Sequence, residues 1–280
     1  MKKLLFFIAF LLALFIFPKS SFAATIAVNT TSDELLINGN CSLREAIQSA
    51  NTNIAFDNCI SGNAFPTIDV ISIPVGTYTI SPLLIGASDD NSSGDFDIFD
   101  SVSISGVDAL STVINGNDID RVFDVHIPDY DGGVVSFSKI AVTNGKSLAY
   151  NPNTFVGTVV NLVEDGGGGI RCGRGATHYT YTPNLVHDID LVCNFSDMEI
   201  ADNETDGLGA GVLCGGRNDQ GAFNLNGHTG GVSCNFDKVT IVGNIHSPSA
   251  TAANKVGGGG VACVNDTTFH TDSTCEFTNT

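Results

Sequence analysis

The segment best suited to metal chemistry is residues 89–100, an acidic stretch that reads Asp-Asp-Asn-Ser-Ser-Gly-Asp-Phe-Asp-Ile-Phe-Asp. Its oxygen-bearing side chains occupy the ligand positions of a calcium-binding loop, with glycine at the sixth position and an apolar residue at the eighth. The stretch departs from that pattern because it ends in aspartate rather than glutamate, and no helix is predicted on either side. The alternative is a polar surface turn before a strand, in which Asp and Asn side chains bond to their own backbone. The candidate calcium ligands are Asp89, Asn91, Ser93, Asp95, Asp97 and Asp100.

Acid–base catalysis has candidates but no recognisable set. Glycoside hydrolysis needs two carboxyl groups at a defined separation, and lyase chemistry needs a base near the proton that it removes. With 30 acidic residues in the chain, close carboxylate pairs are expected by chance. The side chains considered are Asp202, Asp206, Arg171, Arg174, Arg217 and His228.

Motifs typical of polygalacturonases are not present as a set, since Asp89-Asp90 stands alone and His228 is followed by threonine. The remaining histidines on predicted loops are irregularly spaced, which favours solvated side chains over metal ligands; they are His178, His187 and His246. The sequence therefore predicts no catalytic residue and, apart from the calcium candidate, no cofactor.

A repeated pair of cysteine motifs organises the C-terminal half. Gly-rich stretches end in cysteine at 166–172, 207–214 and 257–263, and each is followed by a second cysteine motif. The first cysteines lie 42 and 49 residues apart, and the second ones 41 and 41. A fixed period of this size is typical of stacked repeats. The predicted disulfides join neighbours in each repeat and in the N-terminal unit: Cys41–Cys59, Cys172–Cys193, Cys214–Cys234 and Cys263–Cys275.

The length of the repeat indicates a parallel β-helix. Removing the 20 residues between Cys172 and Cys193 from the 42-residue period leaves 22. The next repeat also reduces to 22 when the 19 residues between Cys214 and Cys234, and about eight of 246–255, are removed. A 22-residue unit suits three short strands and three bends, each strand pairing with its equivalent in the next turn. The competing hypothesis makes each half-repeat a complete turn and would join Cys193 to Cys214.

A short helix is predicted near the N-terminus, after a first strand at 25–30. Ser42 and Glu45 form a capping box, in which the side chain of each residue accepts a hydrogen bond from the backbone amide of the other residue. One face of the following turns is apolar, and such a helix can cover the open end of a β-helix. Arg44 is expected to pair with a carboxylate or cover the helix end, not to act in catalysis. The apolar positions are Leu43, Ala46, Ile47 and Ala50.

The stretch Cys41–Ile47, Cys-Ser-Leu-Arg-Glu-Ala-Ile, resembles the CSLREA N-terminal region of exported bacterial proteins. The Gly-Gly-x-Ile/Val, Phe and Asn repeats, with Asn203 and Asn244 eight residues after Phe195 and Phe236, resemble those of polymorphic outer-membrane proteins. These resemblances imply an all-β fold, a right-handed parallel β-helix of the pectate-lyase-like kind with an N-terminal capping helix. They imply little about activity.

Residues 1–23 have the pattern of an export signal: Lys2 and Lys3, an apolar run from Leu4 to Phe17, and a small-residue cleavage site at 21–23. The run is short for a membrane span, although a retained anchor is the alternative. The predicted domains are the signal peptide 1–23, an N-terminal cap 24–65 and a β-helix 66–280. The expected location is outside a bacterial cell or on its surface, where disulfides form.

The net charge of −18 becomes −21 once the three lysines of the signal are removed. Such a charge argues against nucleic acid or an anionic membrane as a partner. The predicted function is a non-catalytic, adhesion-type surface protein that presents disulfide-pinned loops to glycans or proteins. The alternative is a polysaccharide lyase or glycoside hydrolase. Because the chain stops within a strand motif at Thr280, we expect either further turns in a longer protein or self-association through that end.

Overall fold

The structure is a computed structural model that describes residues 23–84, 90–127, 133–147, 166–174, 191–215, 232–247, 258–264 and 273–280. Within these residues the chain forms one helix, α1 (Leu43–Thr52), and eighteen strands, numbered in chain order. Residues 1–22 of the predicted signal peptide and Asp89 lie outside the described residues, as do His178, His187, Arg217, His228 and the side chain of Arg174. No helix in the described part of the chain is long and apolar enough to cross a membrane.

The strands form three sheets. The first contains β1 (Thr25–Ala27), β2 (Asp69–Ser72), β3 (Gly76–Thr79), β5 (Val102–Ser105), β6 (Thr112–Asn115), β8 (Gly133–Ser138), β9 (Ala141–Thr143), β12 (Leu191–Ala201), β15 (Val232–Val242) and β18 (Ser273–Thr278). The second contains β4 (Phe96–Ile98), β7 (Phe123–Ile127), β11 (Ile170–Arg174), β14 (Val212–Cys214) and β17 (Val261–Cys263). The third contains β10 (Lys146–Ser147), β13 (Glu204–Thr205) and β16 (Ile245–His246).

Every pair of neighbouring strands in these sheets is parallel. From β11 onward the chain visits the second, first and third sheets in turn and then repeats the circuit. From β11 onward, consecutive strands therefore belong to different sheets, and neighbours within a sheet come from successive circuits. The described chain is mostly β, as predicted.

The register of the strands rules out the half-repeat hypothesis. Cys193 is aligned with Cys234 and then with Cys275 in the first sheet. Cys172 is aligned with Cys214, and Cys214 with Cys263, in the second sheet. The two series of cysteines therefore form separate ladders.

The structure contains the four predicted disulfides, with Cα–Cα distances of 4.9 Å for Cys41–Cys59, 6.5 Å for Cys172–Cys193, 6.2 Å for Cys214–Cys234 and 6.3 Å for Cys263–Cys275. The last three link the second sheet to the first at stacked positions. All eight cysteines are paired.

The core is built from side chains that point inward in successive strands. Phe137, Phe195 and Phe236 occupy one register position in the core and stack with ring centroids 5.7 and 4.7 Å apart. Phe277 continues the stack in the last strand at 4.7 Å and is 50% exposed. Each fully buried phenylalanine contributes roughly 1.5–3 kcal/mol to stability. Strand β8 continues the same series without a cysteine, because Val135 aligns with Cys193 and Phe137 with Phe195.

The two repeated asparagines, buried Asn203 and half-buried Asn244, form a hydrogen-bonded pair at a bend that we call the interior ladder. The Asn203 side chain is fully buried, and its Oδ1 accepts a hydrogen bond from the Gly145 amide at 2.8 Å. Its Nδ2 donates to the Val142 carbonyl at 3.1 Å and to Asn244 Oδ1 at 2.9 Å. Asn244 Nδ2 in turn donates to the Ile200 carbonyl at 2.8 Å. The side chains thus satisfy backbone groups that the bend leaves without strand partners.

Helix α1 has the predicted capping box, since Ser42 Oγ accepts from the Glu45 amide and Glu45 Oε2 accepts from the Ser42 amide. Its predicted apolar face, Leu43, Ala46, Ile47 and Ala50, is at most 2% exposed. The helix packs against β1, β2 and β4, the strands at the N-terminal end of the sheets.

Candidate functional site

Arg44, on helix α1, is fully buried and holds the segment before β4 against the helix. Its Nε donates to Asp33 Oδ1 at 2.7 Å and its Nη2 donates to Asp33 Oδ2 at 3.0 Å. The same guanidinium donates to the carbonyls of Gly94 at 2.8 Å and Asp95 at 3.0 Å and lies 4.6 Å from the centre of the Phe96 ring. Arg44 is therefore a structural residue that pairs with a carboxylate, as the sequence predicts.

The six candidate calcium ligands do not converge on one point, as the ligands of a calcium-binding loop do. Asn91, Asp95 and Asp97 are buried, and the Asn91 amide donates to Asp97 Oδ2 at 2.8 Å. Asp100 accepts from Asn53 Nδ2 at 3.1 Å and from the Ser101 amide at 2.7 Å. Ser93 is half-buried, and Asp89 lies outside the described residues. Of the six, Asp95 and Asp97 are the two that share a tight cluster of carboxylates.

The third carboxylate of that cluster is Asp124, which the sequence analysis did not select. Ligand oxygens of Asp95, Asp97 and Asp124 lie within 4.8 Å of one another. Asp97 and Asp124 are aligned in β4 and β7 of the second sheet, and Asp124 is aligned with Arg171 in β11. The repetition of Phe96-Asp97-Ile98 as Phe123-Asp124-Val125 is the sequence signal that could have identified this alignment.

Two arginines lie against these carboxylates, and we call the five residues Asp95, Asp97, Arg121, Asp124 and Arg171 the buried charge cluster. Arg121 Nε is 3.3 Å from Asp95 Oδ2, and Arg121 Nη1 donates to Asp124 Oδ2. Arg171 Nε donates to Asp124 Oδ1 at 2.6 Å. A metal ion at this point would compete with both guanidinium groups, and calcium binding stays a prediction.

Burial raises the pKa of the Asp95 carboxyl well above its ordinary value, although the Arg121 guanidinium opposes this shift. Burial likewise raises the pKa of Asp120. For Arg121 itself burial lowers the pKa, but the carboxylates of Asp124 and Asp95 outweigh burial and leave the pKa above its ordinary value. A carboxyl group with a raised pKa can act as an acid, but Asp95 is only 8% exposed, so a polymer cannot reach it.

The other catalytic candidates do not converge. Asp202 is exposed in a left-handed bend, whereas Asp206 is 3% exposed. Arg171 belongs to the buried charge cluster, and His246 lies half-buried in the third sheet. Among the described residues, the structure therefore assembles no accessible pair of carboxylates from this set.

The disulfides bring together the ends of three segments of the chain. Three segments each begin directly after a cysteine of the second sheet and end directly before a cysteine of the first sheet. They are residues 173–192, 215–233 and 264–274. The cysteines at both ends are in register from one circuit to the next. Since neighbouring strands lie about 4.8 Å apart, the three segments start and finish at stacked positions along one side of the sheets.

Comparison of the chain with protein-family models, with curated proteins and with solved structures finds no significant match. The functional interpretation therefore rests on the arrangement of the residues described above.

Proposed function

We propose that this protein is an exported, non-catalytic β-helix that presents disulfide-bounded segments to glycan or protein partners at a cell surface. In this proposal the three parallel sheets are the faces of one right-handed parallel β-helix, and α1 covers its N-terminal end. The right-handed sense is proposed because parallel crossover connections have that sense in about 98% of cases.

The observation that carries the proposal is the stacking of the disulfide-bearing ends. Cys172–Cys193, Cys214–Cys234 and Cys263–Cys275 occupy equivalent positions in successive circuits. Each bond closes a segment of the chain, and the three segments differ from one another in length and sequence, as binding segments on a rigid framework do.

Export is proposed from the chemistry of the cysteines and from the N-terminal pattern. Eight cysteines joined in four disulfides suit an oxidising compartment. The likeness to CSLREA-type exported bacterial proteins supports the same location, as does the signal-like stretch 1–23.

A binding role is favoured over catalysis because Asp95, a carboxyl group whose pKa burial raises, is not accessible. It lies against Arg121, and its own backbone carbonyl accepts a hydrogen bond from Arg44. A polysaccharide lyase or hydrolase would need an accessible acid and base at a defined separation.

The experiment uses the mature chain, residues 24–280, on a panel of acidic and neutral polysaccharides and on a glycan array. We expect no new reducing ends, no unsaturated products, and binding to a subset of glycans or surface proteins. The same binding assay is repeated with a variant in which a glycine–serine linker of equal length replaces residues 217–230 and Cys214 and Cys234 are kept. We expect this variant to lose the binding. Turnover that disappears in an Asp202→Asn or Asp206→Asn variant would establish the hydrolase or lyase alternative instead.

A further inference from the structure

Asp69 is an acidic residue on the inward-facing side of β2, at the N-terminal end of the sheets. It is 1% exposed, and it shares that side of the strand with fully buried Ile71. A carboxylate in such a place costs free energy unless an opposite charge and hydrogen bonds compensate for its lost hydration. A cation close to Asp69 would therefore stabilise the fold.

The partners of Asp69 in the described part of the chain are neutral. Its Oδ2 accepts a hydrogen bond from the Asn63 amide at 2.8 Å, and its Oδ1 accepts from Asn63 Nδ2 at 2.9 Å. The third donor is the backbone nitrogen of Ala24, which lies 3.2 Å from Oδ1. None of the ion pairs between described residues includes Asp69. Within this part of the chain the carboxylate therefore has hydrogen bonds but no cation.

The loop before β2 closes over this carboxylate. The Gly62 amide donates to the Ser49 carbonyl of α1 at 3.2 Å, which holds the loop against the helix. A Cβ at Gly62 would collide with Asp69 Oδ2 and would lie 3.0 Å from the Ala50 Cα. Because glycine has no Cβ, the loop backbone can approach Asp69 this closely.

The register of β1 places Ala24 opposite Asp69. Thr25 is aligned with Val70, and the Val70 amide donates to the Ala24 carbonyl at 2.8 Å. Ala24 is half-buried, whereas Ala23 is exposed. The predicted signal peptide ends at Ala23. The bond that its removal would cleave is therefore the one directly before the nitrogen that faces Asp69.

We infer that Asp69 is the binding site for the new N-terminus that cleavage of the Ala23–Ala24 bond creates. Hydrolysis adds water across this peptide bond, which leaves a carboxylate on Ala23 and an ammonium group on Ala24. The amide that donates to Asp69 before cleavage then becomes a cation at hydrogen-bond distance. Charged hydrogen bonds are about twice as strong as neutral ones. The ion pair forms only after cleavage, so processing completes the N-terminal end of the fold.

This inference rests on the proposed export, since a signal peptidase supplies the cleavage. It goes beyond that proposal because it assigns a residue that responds to the position of the cut. A chain with one residue more carries its ammonium group on exposed Ala23, where water weakens the attraction. A chain with one residue fewer lacks the nitrogen that faces Asp69.

The test compares the thermal unfolding of residues 24–280 with that of residues 23–280, which differ by one exposed alanine. Both are released from an N-terminal fusion that leaves no additional residue, and both are oxidised to form the four disulfides. We expect residues 23–280 to have a melting temperature about 5 °C lower, because the buried carboxylate loses its cation. With Asp69→Asn in both chains, the difference should fall below about 1 °C.

The matched control is Asp57→Asn. Asp57, in the loop after α1, also accepts hydrogen bonds from three backbone amides, but Ala24 is not among its donors. We expect the difference between the two chain lengths to persist in this variant. Equal melting temperatures of the two wild-type chains overturn the inference, as does a difference that persists with Asp69→Asn.

A second measurement keeps the inference falsifiable if Asp69→Asn does not fold. The rate at which acetic anhydride modifies the N-terminal amine is followed by mass spectrometry in both wild-type chains. An ammonium group bound to Asp69 is held in its unreactive form, so we expect the amine of residues 24–280 to react about tenfold more slowly than that of residues 23–280. Equal rates overturn the inference.

The natural N-terminus is determined by mass spectrometry of the protein that a bacterium exports when it expresses the full chain. We expect the exported protein to begin at Ala24. An exported protein that begins at another residue overturns the inference and leaves the proposed export standing. A chain that stays in the cytoplasm with its first residues intact overturns the proposed export, and the inference with it.

Discussion

Asp124 accepts two hydrogen bonds from the guanidinium of Arg171, which is 47 residues later in the chain: Nε donates to Oδ1 at 2.6 Å, and Nη2 lies 2.5 Å from Oδ2. The two residues are aligned in neighbouring strands of the second sheet. The geometry is that of a paired fork, in which both planar groups lie edge to edge, and such bonds are about twice as strong as neutral ones.

Replacing Arg171 with methionine keeps much of its volume but leaves Asp124 with one fewer cation in a buried site. We expect the free energy of unfolding to fall by about 3 kcal/mol, the cost typical of removing one partner of a buried ion pair. Urea denaturation of residues 24–280 measures this change. The matched control is Lys238→Met, since the Lys238–Asp197 pair is 59% and 49% exposed and should contribute little. Equal effects of the two substitutions would show that the buried charge cluster does not stabilise the fold.

Arg44 should not be replaceable by lysine. A lysine keeps the charge but cannot donate to Asp33 and to several carbonyls from a planar fork. Because Arg44 bridges α1 and the segment before β4, we expect Arg44→Lys to lower the unfolding free energy by about 2–3 kcal/mol. The control is Lys139→Arg, the opposite exchange at an exposed bend. It should change the free energy of unfolding by less than about 0.5 kcal/mol. A fully stable Arg44→Lys protein would contradict the anchoring role.

The stability that Asp95 contributes should depend on pH in a specific direction. Burial raises the pKa of this carboxyl in the folded state above the ordinary value of 3.8, so the folded state binds its proton more tightly than the unfolded state. The contribution is therefore complete below pH 3.8 and is lost as the pH rises through the folded-state pKa. We expect the difference in unfolding free energy between the wild type and Asp95→Asn to shrink from pH 3.5 towards pH 7. A difference that grows with pH over this range would mean that the Arg121 charge outweighs burial.

Asn203 should contribute more to stability than Asn194, which lies on the outer face of the neighbouring strand β12. Its side chain is fully buried and bonds to backbone groups of the preceding circuit. We expect Asn203→Ala to cost about 2 kcal/mol, because the Gly145 amide and Val142 carbonyl lose a partner inside the protein. Asn194→Ala, on the outer face, should cost less than about 1 kcal/mol. Thermal unfolding of both variants gives the comparison, and a larger effect at Asn194 would argue against the interior ladder.

The disulfide Cys214–Cys234 should stabilise the chain by constraining the unfolded state. Its cysteines are 20 residues apart, and closing a loop of this length contributes about 3 kcal/mol. We expect the Cys214→Ala, Cys234→Ala variant to lose about that amount, and non-reducing peptide mapping of the wild type to recover the Cys214–Cys234 peptide pair. Recovery of a peptide that joins Cys193 to Cys214 would contradict the pairing.

The sequence by itself determined the features that depend on neighbouring residues or on repetition. The capping box needs only Ser42 and Glu45 three residues apart, and the structure contains it. The 41-residue spacing of Cys193, Cys234 and Cys275 predicts their alignment, because parallel strands of a repeat stack identical residues. The same spacing separates the two asparagines of the interior ladder, so their stacking could also be predicted.

Only the tertiary structure decided what surrounds the acidic stretch 89–100. The spacing of its side chains predicts ligands that converge on one ion, but strand β4 separates them and directs Asp97 towards Asp124. Asp97, Asp124 and Arg171 are adjacent although they are 27 and 47 residues apart, because insertions of different length lie between their strands. A repeat of fixed length therefore does not reveal this alignment, and the sequence marks only its first pair, through the triplets that begin at Phe96 and Phe123. The charges that neutralise these carboxylates come from Arg121 and Arg171, and which cation faces a buried carboxylate depends on strand register rather than on local spacing.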